Sequence, residues 1–332
     1  MAEFVERDLE GMVPELEQMK RVGLFKKGEI SQITNKRKIY EYKLRRRQKS
    51  KDDYMQYVQY ETNLLALVKK RRALIGYNFK KLEIDIAIVQ RIHKLFRMAI
   101  SRFPEDIKLW LSYIAFAKQQ NDKATVSRQY SKMLQIHNKK PDLWVSAAKY
   151  EFEHNTNPDT ARSLLQRGIR FNDDSRKLWI EYYRLELMFA EQMRQRKQLL
   201  GDVREQDEEV SDAVLNGNVA KIVYTHALKS IPDDVNFILS FLPICQLFDF
   251  TKNHEEDICH ELKERYSDKP VAWDALAQRC IGRNQDNLDE DDSEIKFHQV
   301  YEEAVNTVAG GLKSFIESFG SGLPLRSFKC CP

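Results

Sequence analysis

The chain has 332 residues, 42% of them hydrophobic and 31% charged, and it carries a formal net charge of +4. It exceeds the ~250–300 residues at which one compact core stops growing, and only 12 residues are glycine, so little material remains for phosphate-binding loops or β-hairpin turns. The five cysteines show no Cys-x-x-Cys spacing and the N-terminus is charged rather than apolar, which favours an intracellular chain without a signal peptide.

The N-terminal region, residues 1–88, is predicted to be helical and basic. A short helix is expected at Pro14, because proline suits the first turn of a helix. A longer helix is expected from Asp52, whose carboxylate suits a helix N-terminus, through Arg72.

Positive charge is concentrated in this region. The first 100 residues contain 23 Lys and Arg against 13 Asp and Glu, whereas the remainder contains 31 against 37. This asymmetry favours a polyanionic partner, and Tyr40 and Tyr42 lie among the cations as candidates for base stacking. A solvated helix face, or a nuclear import signal, is the plainer interpretation. The residues predicted to contact RNA or an acidic protein are Lys36, Arg37, Lys38, Lys43, Arg45, Arg46, Arg47, Lys49, Lys51, Lys69, Lys70, Arg71 and Arg72.

The middle of the chain repeats itself. Leu-Trp pairs end at Trp110, Trp144 and Trp179, which are 34 and 35 residues apart, a period typical of helical-hairpin repeats. A second stripe recurs between them, in which a large residue is followed by a small or slim one and then by an aliphatic one, at helical spacing. The stripe begins at Phe96, Tyr130, Leu165, Tyr224 and Tyr301. Together the two registers predict an all-α, right-handed solenoid of helical hairpins over residues 89–308.

The repeats are predicted to differ in completeness. Full hairpins are expected at 105–138, 141–171 and 175–229, and further units begin at Val235 and Val271. The longest uncharged run, residues 235–248, is too short to cross a bilayer, so we expect a buried repeat helix there and no membrane contact.

Three charged or irregular stretches interrupt or end this array. Exposed insertions are predicted near residues 193–217 and 282–295, where acidic residues accumulate. The tail, residues 309–332, carries glycines and no Leu-Trp pair, so we expect a poorly ordered end.

The first helices of these units resemble half-a-tetratricopeptide (HAT) repeats, in which tryptophan is followed by an aromatic residue and then by glutamate at helical spacing. The matching residues are Trp110 with Tyr113, Trp144 with Glu151, Trp179 with Tyr182 and Glu186, and Trp273 as a weaker copy. Ala117 replaces the acid in the repeat of Trp110, and Ala147 replaces the aromatic residue in the repeat of Trp144. We expect each indole to fill the interior of its hairpin, and each buried carboxylate to need a paired donor.

The same order appears once more, before the array. Tyr54, Tyr57 and Glu61 follow the spacing of Trp179, Tyr182 and Glu186. This match predicts a degenerate hairpin in the N-terminal region, whose second helix carries the apolar residues between 82 and 100.

The N-terminal sequence adds a more specific resemblance. The segments around residues 57–65 and 71–81, which include Tyr-Val-Gln-Tyr-Glu and Ile-Gly-Tyr-Asn-Phe-Lys-Lys, resemble the U3 small nucleolar RNA-associated protein 6 family, subunits of the small-subunit processome. The likeness extends over residues 1–308. Members of that family continue with further repeats where this chain carries residues 309–332, so the resemblance implies a short form with a divergent tail.

The resemblance implies a function as well as a fold. It implies a non-enzymatic scaffold in the nucleus and nucleolus, supporting pre-rRNA processing and 18S rRNA maturation, with other processome proteins, including β-propeller subunits, as partners and with snoRNA or pre-rRNA as a further contact. A HAT scaffold of pre-mRNA splicing or 3′-end processing is the first alternative, and a cytosolic tetratricopeptide (TPR) adaptor that binds peptide tails is the second. The N-terminal segments and the basic front favour the first interpretation.

Catalytic and cofactor motifs are not evident. The sequence contains no GxxxxGK[ST], GxGxxG or Gly-x-Ser-x-Gly pattern, and no HExxH or paired Cys-x-x-Cys. His254, Cys259 and His260 lie close in sequence without metal-ligand spacing. We therefore predict no enzyme activity, no metal, no cofactor and no small-molecule substrate.

Overall fold

The computed structural model describes residues 2–76, 79–200, 215–282, 298–304 and 307. In these ranges every regular element is a helix. The helices are α1 (Ala2–Glu10), α2 (Val13–Arg21), α3 (Lys27–Leu44), α4 (Lys51–Ile75), α5 (Asp85–Arg102), α6 (Ile107–Gln119), α7 (Lys123–Ile136), α8 (Pro141–Glu153), α9 (Pro158–Phe171), α10 (Arg176–Leu200), α11 (Asn218–Ser230), α12 (Val235–Leu239), α13 (Leu242–Cys245), α14 (Lys252–Arg265) and α15 (Pro270–Gly282).

The chain divides into two compact units, residues 1–137 and 138–332. The boundary predicted after residue 88 falls inside α5, in the middle of the first unit. Repeat-like packing therefore begins earlier in the chain than the tryptophan pattern does.

In the first unit, each helix from α4 to α6 packs on the next helix along the chain. α4 packs on α5, α5 on α6 and α6 on α7, while α1, α2 and α4 surround α3. Helix starts follow simple capping chemistry, since Ser50 Oγ accepts the amide of Asp52 at 3.2 Å and an Asp106 oxygen accepts that of Lys108 at 2.9 Å. α4 ends at Gly76, whose φ of +72° is the left-handed conformation that glycine supplies at a helix end. The predicted hairpin of α4 and α5 is thus confirmed.

The second unit continues the pattern. α8 packs on α9, α10 packs on both of them, and α11 packs on α10. The hairpins predicted at 105–138, 141–171 and 175–229 correspond to α6–α7, α8–α9 and α10–α11. The predicted all-α array of helical hairpins is therefore confirmed in each unit, while its right-handed sense stays a prediction.

Residues 235–248 do not form the single repeat helix that we expected. They form the short helices α12 and α13 with Pro243 in the first turn of α13. Proline lacks an amide proton and is tolerated only near a helix start, so the run breaks there. Phe237 and Phe241 are nevertheless buried, and the apolar run still forms core.

Several other expectations concern segments only partly described. α10 extends to Leu200, past the start of the insertion predicted at residue 193. Residues 201–214 and 283–297, and the tail predicted at 309–332, lie outside the described residues. Across the described part of the chain, no helix combines the length and apolar character needed to cross a membrane.

Candidate nucleic-acid interface

The four tryptophans of the repeat signature make the same contact, each in its own repeat. All four are buried, and each indole Nε1 donates a hydrogen bond of 2.8–3.1 Å to the carbonyl of the residue six positions earlier. Because that carbonyl belongs to the loop preceding the helix, the bond fastens the loop to the hairpin interior. The donor and acceptor pairs are Trp110 with Pro104, Trp144 with Asn138, Trp179 with Asp173, and Trp273 with Ser267.

A small residue on the second helix admits the indole. A Cβ atom built on Gly168 of α9 would lie only 2.9 Å from Cγ of Trp144 on α8. Asn172 closes the same corner, since its Nδ2 donates to the carbonyls of Asn138 at 2.9 Å and Gly168 at 3.0 Å. The small position of the predicted stripe is thus a site of close helix approach.

The glutamate of the signature has a cationic partner that recurs at constant spacing. Arg162 donates two hydrogen bonds to Glu186, of 2.6 and 2.9 Å. Arg37 does the same to Glu61, with both distances 2.8 Å. In both pairs the arginine precedes the glutamate by 24 residues. Glu151 departs from this rule and accepts from Asn155 Nδ2 at 2.7 Å.

Arg37 belongs to a buried cluster of four charges that joins α2, α3, α4 and α5. Its Nη2 lies 2.9 Å from Glu15, and Arg91 Nη2 lies 2.6 Å from the other oxygen of Glu15. Burial by itself would raise the pKa of Glu15, but Arg37 and Arg91 outweigh it and hold that pKa below the usual range. Two positive and two negative charges thereby neutralise one another inside the first unit.

Two of the predicted RNA-contacting residues are therefore placed wrongly by the sequence analysis. Arg37 is fully buried and Arg72 is 4% exposed. Arg72 donates to the carbonyl of Phe79 at 2.6 Å and pairs with Asp85 at 3.3 Å. Neither guanidinium reaches the surface, so neither is available to a phosphate.

Four more predicted cations are engaged in contacts within the first unit. Arg45 pairs with Asp8 at 2.6 Å, Lys51 with Asp106 at 2.5 Å and Arg71 with Glu29 at 2.7 Å. These pairs are partly exposed and contribute little stability individually. Lys43 lies 3.5 Å from Gln56 and over the ring of Tyr40.

The predicted stacking residues also differ from each other. Tyr40 packs face to face on Tyr57, with ring centroids 5.0 Å apart, and so is not a free platform for a base. Tyr42 is 39% exposed. The remaining predicted cations are exposed and make no ion pair with any residue that the structure describes: Lys36, Lys38, Arg46, Arg47, Lys49, Lys69 and Lys70.

We call these seven exposed cations the exposed basic surface of the first unit. The part of the chain that contains them is similar to a known protein family. Residues 9–91 match the family model described as U3 small nucleolar RNA-associated protein 6. The human protein "U3 small nucleolar RNA-associated protein 6 homolog" is 42% identical over 84% of this chain. Over most of its length, the chain is therefore similar to proteins of this family.

Two further proteins named for U3 small nucleolar RNA-associated protein 6 are also similar in sequence to this chain. The Schizosaccharomyces pombe member is 34% identical over 67% of this chain, and the Dictyostelium discoideum homolog 27% identical over 74%. The chain spans about half the length of these curated relatives, 47% of the human and 46% of the S. pombe protein. A solved structure of Pseudomonas aeruginosa pilF aligns with 69% of this chain and 97% of its own at 11% identity, and its TM-score of 0.27 is too low to bear on the fold.

Of the residues noted in the sequence, His254 and Cys259 are buried, whereas His260 is exposed. Among the described residues, no group of three or more His, Cys, Asp and Glu is arranged to hold a metal ion. His254 is buried, with Nδ1 2.8 Å from the hydroxyl of Tyr183, which also lies 2.9 Å from Sγ of Cys245. Burial lowers the pKa of His254 to about 4 and raises that of Cys245 to about 11. A neutral imidazole and a protonated thiol suit a core, not a nucleophilic pair.

The structure shows what the sequence analysis missed. The arginines that neutralise Glu61 and Glu186 were assigned to a binding surface or not singled out at all. The signal was present as an arginine 24 positions before two of the three signature glutamates, Glu61 and Glu186.

Proposed function

We propose that this chain is a non-enzymatic scaffold of the small-subunit processome, which supports nucleolar pre-rRNA processing and 18S rRNA maturation. The observation that carries the proposal is the match of residues 9–91 to the U3 small nucleolar RNA-associated protein 6 model. That match covers the basic N-terminal region rather than the generic repeats, and so favours this role over a splicing scaffold or a cytosolic TPR adaptor.

The two parts of the molecule have different tasks in this proposal. The helical hairpins of each unit bury their signature tryptophans and leave the helix surfaces for other processome proteins, including β-propeller subunits. The exposed basic surface of the first unit contacts snoRNA or pre-rRNA phosphates, which bind Lys and Arg without reading base sequence.

Affinity purification of the tagged chain from nucleolar extract tests the proposal. We expect U3 snoRNA and processome proteins to co-purify, and a fluorescently tagged chain to concentrate in nucleoli. Spliceosomal RNAs in place of U3 would refute the proposal in favour of the splicing alternative, and an entirely cytosolic chain would support the TPR adaptor.

A charge variant separates the RNA contact from protein assembly. Arg46→Gln together with Arg47→Gln removes two exposed charges that have no ion-pair partner among the described residues. We expect reduced recovery of U3 snoRNA with the protein partners retained. Arg45→Gln together with Arg71→Gln is the matched control, because these two arginines are already paired with Asp8 and Glu29. It should leave RNA recovery nearly unchanged.

A further inference from the structure

A small pocket opens among α5, α6 and α7 of the first unit, away from the basic residues that the sequence singled out. Its volume is about 240 Å³, below the ~300–1,000 Å³ of a typical small-molecule site. Each of its eight lining residues carries a hydrogen-bonding side chain, and none of these eight is Asp or Glu. The lining therefore suits an anion, and the volume leaves room for at least one phosphate group.

Three cations stand at the rim. Arg97, Arg128 and Lys132 are exposed and line the pocket. None of the three forms an ion pair with any residue in the described part of the chain. Unlike Arg45 and Arg71, these three cations have no carboxylate of the described residues within ion-pair distance, and Asp122 acts on Arg128 only from farther away.

A glutamine amide opens into the pocket without a protein partner. Gln129 lines the pocket and is only 4% exposed, yet its side-chain amide makes no hydrogen bond to any described residue. The amide is not among the fully buried polar groups that lack a partner, so it stays in contact with solvent in the pocket. An oxyanion in the pocket would accept a hydrogen bond from the Gln129 amide nitrogen.

The floor of the pocket is a residue of the repeat signature. The Tyr113 hydroxyl lies 3.1 Å from Nδ1 of His93, and the Tyr113 ring is stacked on Phe96 at 4.9 Å between centroids. Because Tyr113 is 2% exposed, its ring cannot stack on a base. The cations and hydrogen-bond donors that line the pocket therefore suit a charged oxygen rather than a base.

A larger cavity of the first unit shares lining residues with this pocket. Arg97 also lines a cavity of about 800 Å³ in the same unit, together with Arg7, Lys49 and Lys94. Asp8 in that wall is already paired with Arg45 and Lys94, and Glu15 is neutralised by Arg37 and Arg91. Glu41, the third acid of the wall, accepts a hydrogen bond from Tyr57, and burial raises its pKa. A row of cations extending beyond the pocket favours a linear polyanion over a single small ion.

We propose that this pocket binds a backbone phosphate of single-stranded RNA, held by Arg97, Arg128 and Gln129, and that the larger cavity guides the flanking phosphates. The inference rests on the proposed function, in that it supplies the first unit with an RNA contact. It moves the principal contact from the 36–51 segment to the faces of α5 and α7.

Fluorescence anisotropy with the full-length chain tests the proposal. The probe is a 5′-labelled oligouridylate of about 12 nucleotides, within the ~4–16 nucleotides of known single-strand sites. Arg97→Gln with Arg128→Gln should weaken binding at least about tenfold and make the log–log salt slope shallower by about 0.7–1.4. The matched control, Lys139→Gln with Lys140→Gln, removes the same charge from exposed residues outside the first unit and should weaken binding less than about twofold.

A neutral substitution isolates the pocket from bulk charge. Gln129→Met keeps the side-chain length and removes the amide, so it should weaken binding about threefold with the salt slope unchanged. Gln129→Glu places a carboxylate at the same position and should abolish pocket-dependent binding. Thermal melts of each variant report whether it folds. If a Gln129 variant does not fold, the test still rests on Arg97→Gln with Arg128→Gln, because both of these arginines are exposed.

Three outcomes would overturn the proposal. Equal losses in the pocket variant and the lysine control would mean that only net charge matters. Tighter, pocket-dependent binding of an acidic peptide of equal charge would assign the pocket to a protein partner. A wild-type chain that fails to bind the oligonucleotide but still co-purifies U3 snoRNA would refute the pocket while leaving the proposed function intact.

Discussion

Replacing Arg37 by methionine tests whether this residue holds the first unit together or contacts RNA. Arg37 is fully buried and donates hydrogen bonds of 2.8, 2.8 and 2.9 Å to Glu61 and Glu15. Without it, two buried carboxylates share the single guanidinium of Arg91, which lies 3.4 Å from Glu61. One buried negative charge is left uncompensated, and such a loss costs about 3–5 kcal/mol.

Arg162→Met is the comparison in the second unit. It removes the same repeat-related partner from Glu186, but Arg162 is 26% exposed, so water solvates the remaining carboxylate more easily. We expect a loss of about 1–2 kcal/mol there. Adding Glu61→Gln to Arg37→Met should recover part of the larger loss, because it removes the stranded charge.

Native-state hydrogen exchange read by mass spectrometry measures both effects in the intact chain. Arg37→Met should raise exchange in α3 and α4, and Arg162→Met in α9 and α10, since each arginine joins those helices. Unchanged exchange in α3 and α4 together with weaker RNA binding would refute the structural role and return Arg37 to the nucleic-acid interface.

Three further predictions concern the second unit. Gly168→Ala forces a Cβ to within 2.9 Å of Trp144 and should lower the free energy of unfolding in urea by about 1–3 kcal/mol. The control is Gly28→Ala, which should be neutral or mildly stabilising because nothing lies within 4 Å of the added Cβ. Equal effects of the two substitutions would contradict the close approach. Trp144→Ala should cost about 3–5 kcal/mol and raise hydrogen exchange in α8 and α9, and unaltered protection there would argue against the assigned core. His254 has its pKa lowered by burial to about 4 from about 6.5 in the unfolded chain, so the stability that it contributes is present above pH 6.5 and is lost as the pH falls toward 4, by up to about 3 kcal/mol. His254→Phe should remove that part of the acid sensitivity in urea titrations at pH 7 and 4.5, and identical pH dependence in the two proteins would refute it.

The sequence determined the repeat architecture because that information is local. Three Leu-Trp pairs at 34 and 35 residues and a coincident second stripe locate the hairpins α6–α7, α8–α9 and α10–α11, since helical periodicity follows from side-chain spacing alone. The order Tyr54, Tyr57, Glu61 also located α4 correctly. The likeness to the U3 small nucleolar RNA-associated protein 6 family could be recognised for a similar reason, because it lies in contiguous segments near residues 57–81.

The fate of individual charges was decided only by the tertiary structure. Arg37 and Lys38 are adjacent in sequence, yet Arg37 is completely buried and Lys38 is exposed. A run of basic residues does not reveal which side of its helix faces carboxylates from other helices, and Glu15 and Glu61 reach Arg37 from 22 and 24 residues away. The pocket around Gln129 is hidden for the same reason, because its cations come from two helices that only packing brings together. Burial and charge pairing depend on contacts distant in sequence, whereas helix formation depends on neighbours.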